Sequence, residues 1–191
     1  TSVFGYDYLG RAGEVQRTTT SGGNTITESY LYSYIPPGGN GGLLGSVVLR
    51  RQVNGGGWTT IRQVVYTYYD GVKPYGNLGD LEFATVEDGA GNVLGTSYYR
   101  YYYSADAGTT GYFGALKYAF GPQSYARLVA AVGDPTQATD AAVAPYADYY
   151  FEYAPPNNTP VGEHPVSKEV VQGAGDSQTA GGLGTFTYVY T

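Results

Sequence analysis

Tyr98-Tyr99-Arg100-Tyr101-Tyr102-Tyr103 sets aromatic rings at alternate positions of a short run. Alternate side chains of a β-strand share a face, so the run lays a row of rings on one side of a sheet. Aromatic residues suit that pleated, half-buried surface. The same grammar returns at Tyr30-Leu31-Tyr32-Ser33-Tyr34, Tyr66-Thr67-Tyr68-Tyr69, Tyr149-Tyr150-Phe151-Glu152-Tyr153 and Phe186-Thr187-Tyr188-Val189-Tyr190. The runs recur roughly every 35 residues, with one gap of about 50, and recurrence on that scale marks a repeat architecture. The predicted packing rows are Tyr30, Tyr32 and Tyr34; Tyr66 and Tyr68; Tyr99, Tyr101 and Tyr103; Tyr149, Phe151 and Tyr153; Phe186, Tyr188 and Tyr190.

Outward from these runs lie turn signals. Ser21-Gly22-Gly23-Asn24, Asn54-Gly55-Gly56-Gly57 and Asp88-Gly89-Ala90-Gly91-Asn92 each separate two strand-like segments, the pattern of a β-hairpin. Pro36-Pro37-Gly38-Gly39-Asn40-Gly41-Gly42, Asp70-Gly71 with Pro74-Tyr75-Gly76-Asn77, and Ser104 to Thr110 read as connections between hairpins. The expected architecture is all-β: antiparallel hairpin repeats in one continuous curved or wound sheet, forming a single array over residues 1–191. Its approximate units are 1–37, 38–77, 78–110, 111–156 and 157–191. The fourth holds an insertion over 123–145, where Tyr125, Leu128, Val129 and Val132 suit a short helix as well as a strand.

Composition narrows the function. The 191 residues carry 23 Tyr against 6 Phe and 1 Trp, with 30 Gly and 10 Pro. Tyrosine brings apolar area together with a hydroxyl that needs water or a partner, so a thin core is expected. With 10 Lys and Arg against 16 Asp and Glu, the net charge is −6, which argues against nucleic acid as a partner. There is no Cys, hence no disulfide, thiolate metal site or cysteine nucleophile. No apolar run approaches membrane-spanning length. The absence of Met, the initiator included, leads us to expect a processed or excised piece, with any export signal removed or upstream.

Tyr6-Asp7-Tyr8-Leu9-Gly10-Arg11 resembles the YD-repeat motif, with Tyr6, Asp7, Gly10 and Arg11 at its defining positions. Asp88, Gly91 and Asn92 resemble the Asp-x-x-Gly-Asn form of the same turn. The chain, apart from roughly Gln123 to Pro145, is similar to the RHS/YD-repeat arrays of bacterial surface and secreted proteins. That resemblance implies hairpins coiled side by side into an exported curved shell, which in some members encloses a toxin. This chain is too short to close a shell. Asp134-Pro135 lacks the Gly-Leu of the family's self-cleavage core, so autoproteolysis is not carried over.

No residue is assigned a catalytic, cofactor-binding or metal-binding role. His164 is the single histidine and is expected on a surface loop, which leaves no multi-histidine metal site. Gly38 to Gly42 lacks the Lys-Ser or Lys-Thr of a phosphate cradle and is expected to be a turn. Asp80, Glu82, Glu87 and Asp88 are expected on a solvated strand face and in turn caps rather than as a glycosidase pair or a calcium site. Asn157-Asn158-Thr159 fits a glycosylation acceptor. The leading expectation is a non-catalytic extracellular or cell-surface scaffold that assembles head-to-tail into filaments, its partners being copies of itself or flanking repeats. Polysaccharide binding by exposed tyrosine rows, or a place in a toxin-enclosing shell, stand as alternatives.

Overall fold

The computed structural model describes residues 2–103, 110–155, 164–171 and 184–190. Eleven strands form one open sheet in chain order, hairpin after hairpin. They are β1 (Ser2–Tyr6), β2 (Ala12–Ser21), β3 (Asn24–Tyr34), β4 (Leu44–Val53), β5 (Thr59–Tyr68), β6 (Leu81–Asp88), β7 (Val93–Tyr101), β8 (Leu116–Phe120), β9 (Tyr149–Tyr153), β10 (Val166–Val171) and β11 (Gly184–Thr187). The range 1–37 holds β1 to β3, and each later unit range holds one pair, ending with β10 and β11 in 157–191. Even-numbered strands open a hairpin and odd-numbered strands return from it. The Asn157-Asn158-Thr159 acceptor, most of the Ser104 to Thr110 connection and the last Gly-rich turn lie outside the described residues.

Turn chemistry sets the hairpins. Between β4 and β5, Asn54 (φ 51°) and Gly55 (φ 73°) take the positive φ pair that matches strand twist. Asn54 also receives the Thr25 N–H on its side-chain oxygen at 2.8 Å.

Packing divides the chain into two compact bodies, Thr1–Thr67 with Ala84–Gly95, and Tyr68–Phe83 with Thr96–Thr191. The first body has no buried hydrophobic residue among those described. It is a thin sheet held by cross-strand polar contacts. The Glu14 carboxylate accepts from Ser29 Oγ at 2.5 Å, Gln16 Nε2 at 2.8 Å and Arg50 at 2.9 Å. The Arg50 guanidinium in turn lies 4.3 Å over the Trp58 ring.

The second body holds the core, and the insertion makes it. Where the β2–β3, β4–β5 and β6–β7 hairpins turn within a few residues, β8 leads into helix α1 (Pro122–Val132), a 3-10 turn at Pro135–Gln137, the short helix α2 (Asp140–Val143) and a second 3-10 turn at Ala144–Tyr146. Pro122 suits the first helical turn because its missing N–H would be unpaired there anyway. Gly133 ends α1 at φ 77°. The face bearing Leu128 buries against Tyr98, Tyr118, Phe120, Tyr150 and Val170 of the sheet, with Val143, Ala144 and Ala147 completing the cluster. Asp148 fastens the base of the insertion, accepting from Gly121 N and Ser124 Oγ, both at 2.5 Å. Asp134 accepts from Thr136 N at 2.9 Å and so caps the first 3-10 turn.

In β7 the predicted row Tyr99, Tyr101 and Tyr103 is half-buried, with Tyr101 and Tyr103 set edge-on to the Tyr69 and Tyr75 rings at 6.2 and 6.1 Å. The fully buried side chains are Tyr98, Arg100 and Tyr102, one position out of phase with Tyr99, Tyr101 and Tyr103. The register with β8 shifts between Arg100 and Tyr101, where β8 carries the extra residue Lys117, and Tyr103 lies beyond the strand. In β9 the buried ring is Tyr150, while Phe151 and Tyr153 are half-buried and Tyr149 is exposed. The insertion covers one face of the sheet, and that face belongs to the other set of alternating residues.

Candidate functional site

The notable feature of the predicted rows is how each one ends. At the end of β3, Ile35 N–H donates to Leu43 O at 2.8 Å and Gly42 N–H donates to Ile35 O at 2.9 Å. Tyr69 with Asp80 and Gly79, and Tyr102 with Ala115 and Gly114, make the same pair of bonds. Asp7 with Arg11 and Gly10 makes them too, in the shortest form of the connection. Ala154 N–H on Pro165 O repeats the first bond. Each corner thus joins a returning strand to the next opening strand through one bulged geometry.

A tyrosine immediately precedes every one of these corners: Tyr6, Tyr34, Tyr68, Tyr101 and Tyr153. An aromatic stands two residues earlier in each case: Phe4, Tyr32, Tyr66, Tyr99 and Phe151. The corner tyrosine pairs with the first residue of the next opening strand, as in Tyr6 with Ala12, Tyr34 with Leu44, Tyr101 with Leu116 and Tyr153 with Val166. Its hydroxyl reaches back to the first residue of its own hairpin's opening strand. Tyr34 donates to Ala12 O at 2.9 Å, Tyr153 to Leu116 O at 2.9 Å and Tyr190 to Val166 O at 2.8 Å. Tyr101 meets the first residue of its opening strand differently, its hydroxyl oxygen accepting from the Leu81 backbone N–H. At Tyr34 and Tyr153 one side chain therefore ties three strands, and the hydroxyl that tyrosine needs to place finds a backbone carbonyl. Burial pushes the Tyr153 hydroxyl up to about 12. It pushes Tyr101 upward as well, with Asp80 adding to the shift.

The YD-like residues build two turns of one geometry. The Asp7 carboxylate accepts from the Leu9 and Arg11 N–H groups at 2.9 Å and from Arg11 Nε at 2.7 Å. Arg11 then lies 3.9 Å over the Tyr34 ring. Asp88 accepts from the Ala90 and Asn92 N–H groups at 2.9 Å and from Asn92 Nδ2 at 2.9 Å, with Gly91 at φ 86°. Burial would raise the Asp7 pKa, but the Arg11 backbone and guanidinium outweigh it and hold the carboxyl below its usual value. The Asn92 side chain and N–H lower Asp88. The positions in the repeat differ: Asp7 makes a corner, whereas Asp88 makes the tight turn inside a hairpin.

The sequence reading missed Arg100, since an arginine within an aromatic run carries no signal of burial. It is fully buried and stacks 3.7 Å over Tyr75. Its guanidinium donates to Tyr98 Oη at 2.9 Å, Asp140 Oδ1 at 2.7 Å, Pro135 O at 2.6 Å and Ala138 O at 2.7 Å. Lys117 reaches the second Asp140 oxygen at 2.6 Å. These bonds hold the insertion down on the sheet.

Glu82 corrects the expectation of a solvated acidic face. It is 2% exposed and bonded to Lys73 Nζ at 2.9 Å, because the connection after Tyr69 folds back over β6. Asp80 accepts from Asn77 N at 2.8 Å and shapes the corner. His164 packs as well as facing the surface, stacked 4.4 Å from the Tyr112 ring centroid with Nδ1 at 3.3 Å from Ala154 O. Gly38 to Gly42 forms a turn closed by Gly41 N–H on Gly38 O at 3.0 Å. Among the described residues no cluster of three or more His, Asp or Glu could hold a metal ion, and no helix is long and apolar enough to cross a membrane.

Comparison with protein-family models, with curated proteins and with solved structures gives no match to this chain.

Proposed function

We propose that this chain is a non-catalytic structural segment, a β-hairpin scaffold of an extracellular or cell-surface array. The observation that supports it most is the recurrence of one tyrosine corner, whose hydroxyls and charged groups are engaged in holding strands together. Arg100, Asp140 and Lys117 form a largely buried fastening, and exposed Lys73 pairs with buried Glu82. The location follows from the YD-repeat resemblance.

The scaffold reading assigns the sheet edges to contacts with copies of the chain or with flanking repeats. β1 is exposed along its length, with Phe4 at 61% and Tyr6 at 68%, and Phe186, Val189 and Tyr190 are exposed at the other edge. Unpaired strand edges template pairing. Both edges are returning strands, whereas every hydrogen-bonded register described here joins an opening strand to a returning one. Simple head-to-tail contact between two copies would therefore place two returning strands side by side. In association of the chain alone, like edges meeting antiparallel about a two-fold is the contact to expect.

Solution mass measured beside electron microscopy over a concentration series tests the reading. Ordered assemblies, or dimers that form with concentration, are the expected result. A chain that stays monomeric and dispersed at high concentration would count against a scaffold role.

A further inference from the structure

We propose that the sheet face opposite the insertion carries a binding site for a quaternary ammonium ion, built by Glu169 between the rings of Phe151 and Phe186. This goes beyond the scaffold reading and does not depend on it. Alternation sets the face. Tyr150 and Val170 pair with each other and lie in the core under the insertion. Phe151 and Glu169, the adjacent pair, therefore point to the other side. Glu169 also pairs with Phe186 on its other neighbour. One carboxylate thus stands between two phenylalanines in a row across β9, β10 and β11. Phe186 is 52% exposed, and Tyr149, stacked on Phe151 with ring centroids 6.0 Å apart, is 41% exposed. The row lies on the face of paired strands and uses no open strand edge.

What the row lacks is a cation. The ten Lys and Arg of the sequence all fall among the described residues, and none of them forms an ion pair with Glu169. Lys168 is turned to the opposite face, bonded to Glu152 Oε1 at 2.8 Å and lying 5.6 Å over the Tyr150 ring. The one described partner of the Glu169 carboxylate is the Tyr188 hydroxyl, which donates to Oε2 at 3.2 Å. Neighbouring strands lie about 4.8 Å apart, so Phe151 and Phe186 rise about 10 Å from each other with Glu169 midway. A cation above the carboxylate then sits about 5 Å from each ring, inside the roughly 6 Å reach of a cation–π contact. Phenyl rings offer no oxygen to replace the water of a small hard ion. A methylated ammonium holds its water weakly and meets the rings with its methyl groups, while Glu169 answers its charge.

Nuclear magnetic resonance of the full chain at low salt tests this, with choline as the probe and its uncharged carbon analogue as the control. The expected result is an upfield shift of the choline methyl signal, as the ring faces produce, half-saturating on the order of 10 mM. The carbon analogue should bind about ten-fold more weakly. Glu169→Gln, which keeps the size and removes the charge, and Phe186→Leu, which removes one ring, should each weaken choline about five-fold. Phe4→Leu removes a ring that is 61% exposed elsewhere and should change nothing. Circular dichroism of each variant checks that the sheet is retained. Phosphocholine is the second arm: tighter binding than choline would assign the site to a phosphate-linked headgroup, weaker binding to a free ammonium. Equal binding of choline and the carbon analogue, unchanged binding in Glu169→Gln, or a choline signal that does not shift would each overturn the proposal and leave the scaffold reading as it stands.

Discussion

The Tyr34 hydroxyl donates to the Ala12 carbonyl at 2.9 Å, and Tyr34 itself pairs across the next interface with Leu44. It thus engages both neighbouring strands. Tyr34→Phe keeps the ring and removes the bond, so it should cost about 1 kcal/mol in urea unfolding. Tyr153→Phe should cost a similar amount by loss of the Leu116 contact. Tyr6→Phe should be near neutral in the isolated chain, because its ring is exposed and its hydroxyl has no partner among the described residues. Equal costs at all three positions would mean that the hydroxyl bonds are incidental.

Arg100 tests whether the insertion is fastened or merely resting. Arg100→Ala would leave Asp140 with Lys117 alone and free two insertion carbonyls, Pro135 O and Ala138 O. Breaking a buried ion pair from one side costs roughly 3–5 kcal/mol. Asp140→Asn should cost less, since Arg100 keeps the carbonyls and Tyr98. Urea unfolding monitored by near-ultraviolet circular dichroism of the core tyrosines reads both. A change within about 0.5 kcal/mol, the size of an ordinary surface substitution, would show that the fastening is not needed.

Much of this was legible in the chain and some was not, for reasons that particular residues make plain. Hairpins could be read because Asn54-Gly55 and Gly22-Gly23 carry their turn type in composition. The aromatic rows could be read because their period is two. Which face was buried could not, because Tyr98, Tyr99, Tyr101 and Tyr102 place rings on both faces, and the choice is made by Leu128 from a segment thirty residues further on. The corner signal was present but unrecognised: aromatic, any residue, Tyr, then a gap, then Gly, any residue and Ala or Leu. It is compact in Phe4-Gly5-Tyr6 with Gly10-Arg11-Ala12, the copy that carries the YD resemblance. In Tyr66-Thr67-Tyr68 with Gly79-Asp80-Leu81 and Tyr99-Arg100-Tyr101 with Gly114-Ala115-Leu116, longer connections spread it out. The buried charges were hidden for a related reason. Glu82 and Arg100 meet partners on connections and on the insertion, outside their own strands.

Two of those longer connections depend on glycine for want of space. A Cβ added at Gly76 would overlap the Tyr69 ring, and one at Gly111 would overlap the Tyr102 ring. Both rings are 1% exposed. Each is held in place by its hydroxyl, on Tyr99 O and Phe151 O respectively, both at 2.9 Å. With the ring unable to swing away, Gly76→Ala and Gly111→Ala should each destabilise the second body by about 1–3 kcal/mol through overpacking. Gly57→Ala, where nothing stands within 4 Å, should change little. Thermal unfolding of the three variants makes the comparison. A Gly76→Ala chain as stable as Gly57→Ala would mean that the connection is free to move off the ring.

The tyrosine corners also give the fold an alkaline limit with a definite sign. The Tyr153 hydroxyl is raised from 10.0 to about 12, by burial first and by Tyr112 and Tyr102 after it. Burial also raises Tyr69, Tyr101 and Tyr150. Below pH 10 these groups are protonated whether the chain is folded or not, so their full contribution to stability is present. As pH rises past 10 the unfolded chain loses these protons while the folded chain keeps them, and stability falls, the Tyr153 share of the fall ending as that group titrates in the folded chain near pH 12. The melting temperature at constant ionic strength should therefore decline between about pH 10 and 12. The part of the tyrosinate absorbance that Tyr153→Phe removes should rise together with loss of sheet circular dichroism. Tyr153→Phe should make that decline shallower while lowering stability at neutral pH, a combination that lost packing alone does not produce. If the part of the tyrosinate rise that Tyr153→Phe removes came well before any loss of sheet signal, the Tyr153 hydroxyl would be open to solvent and would not hold the strands.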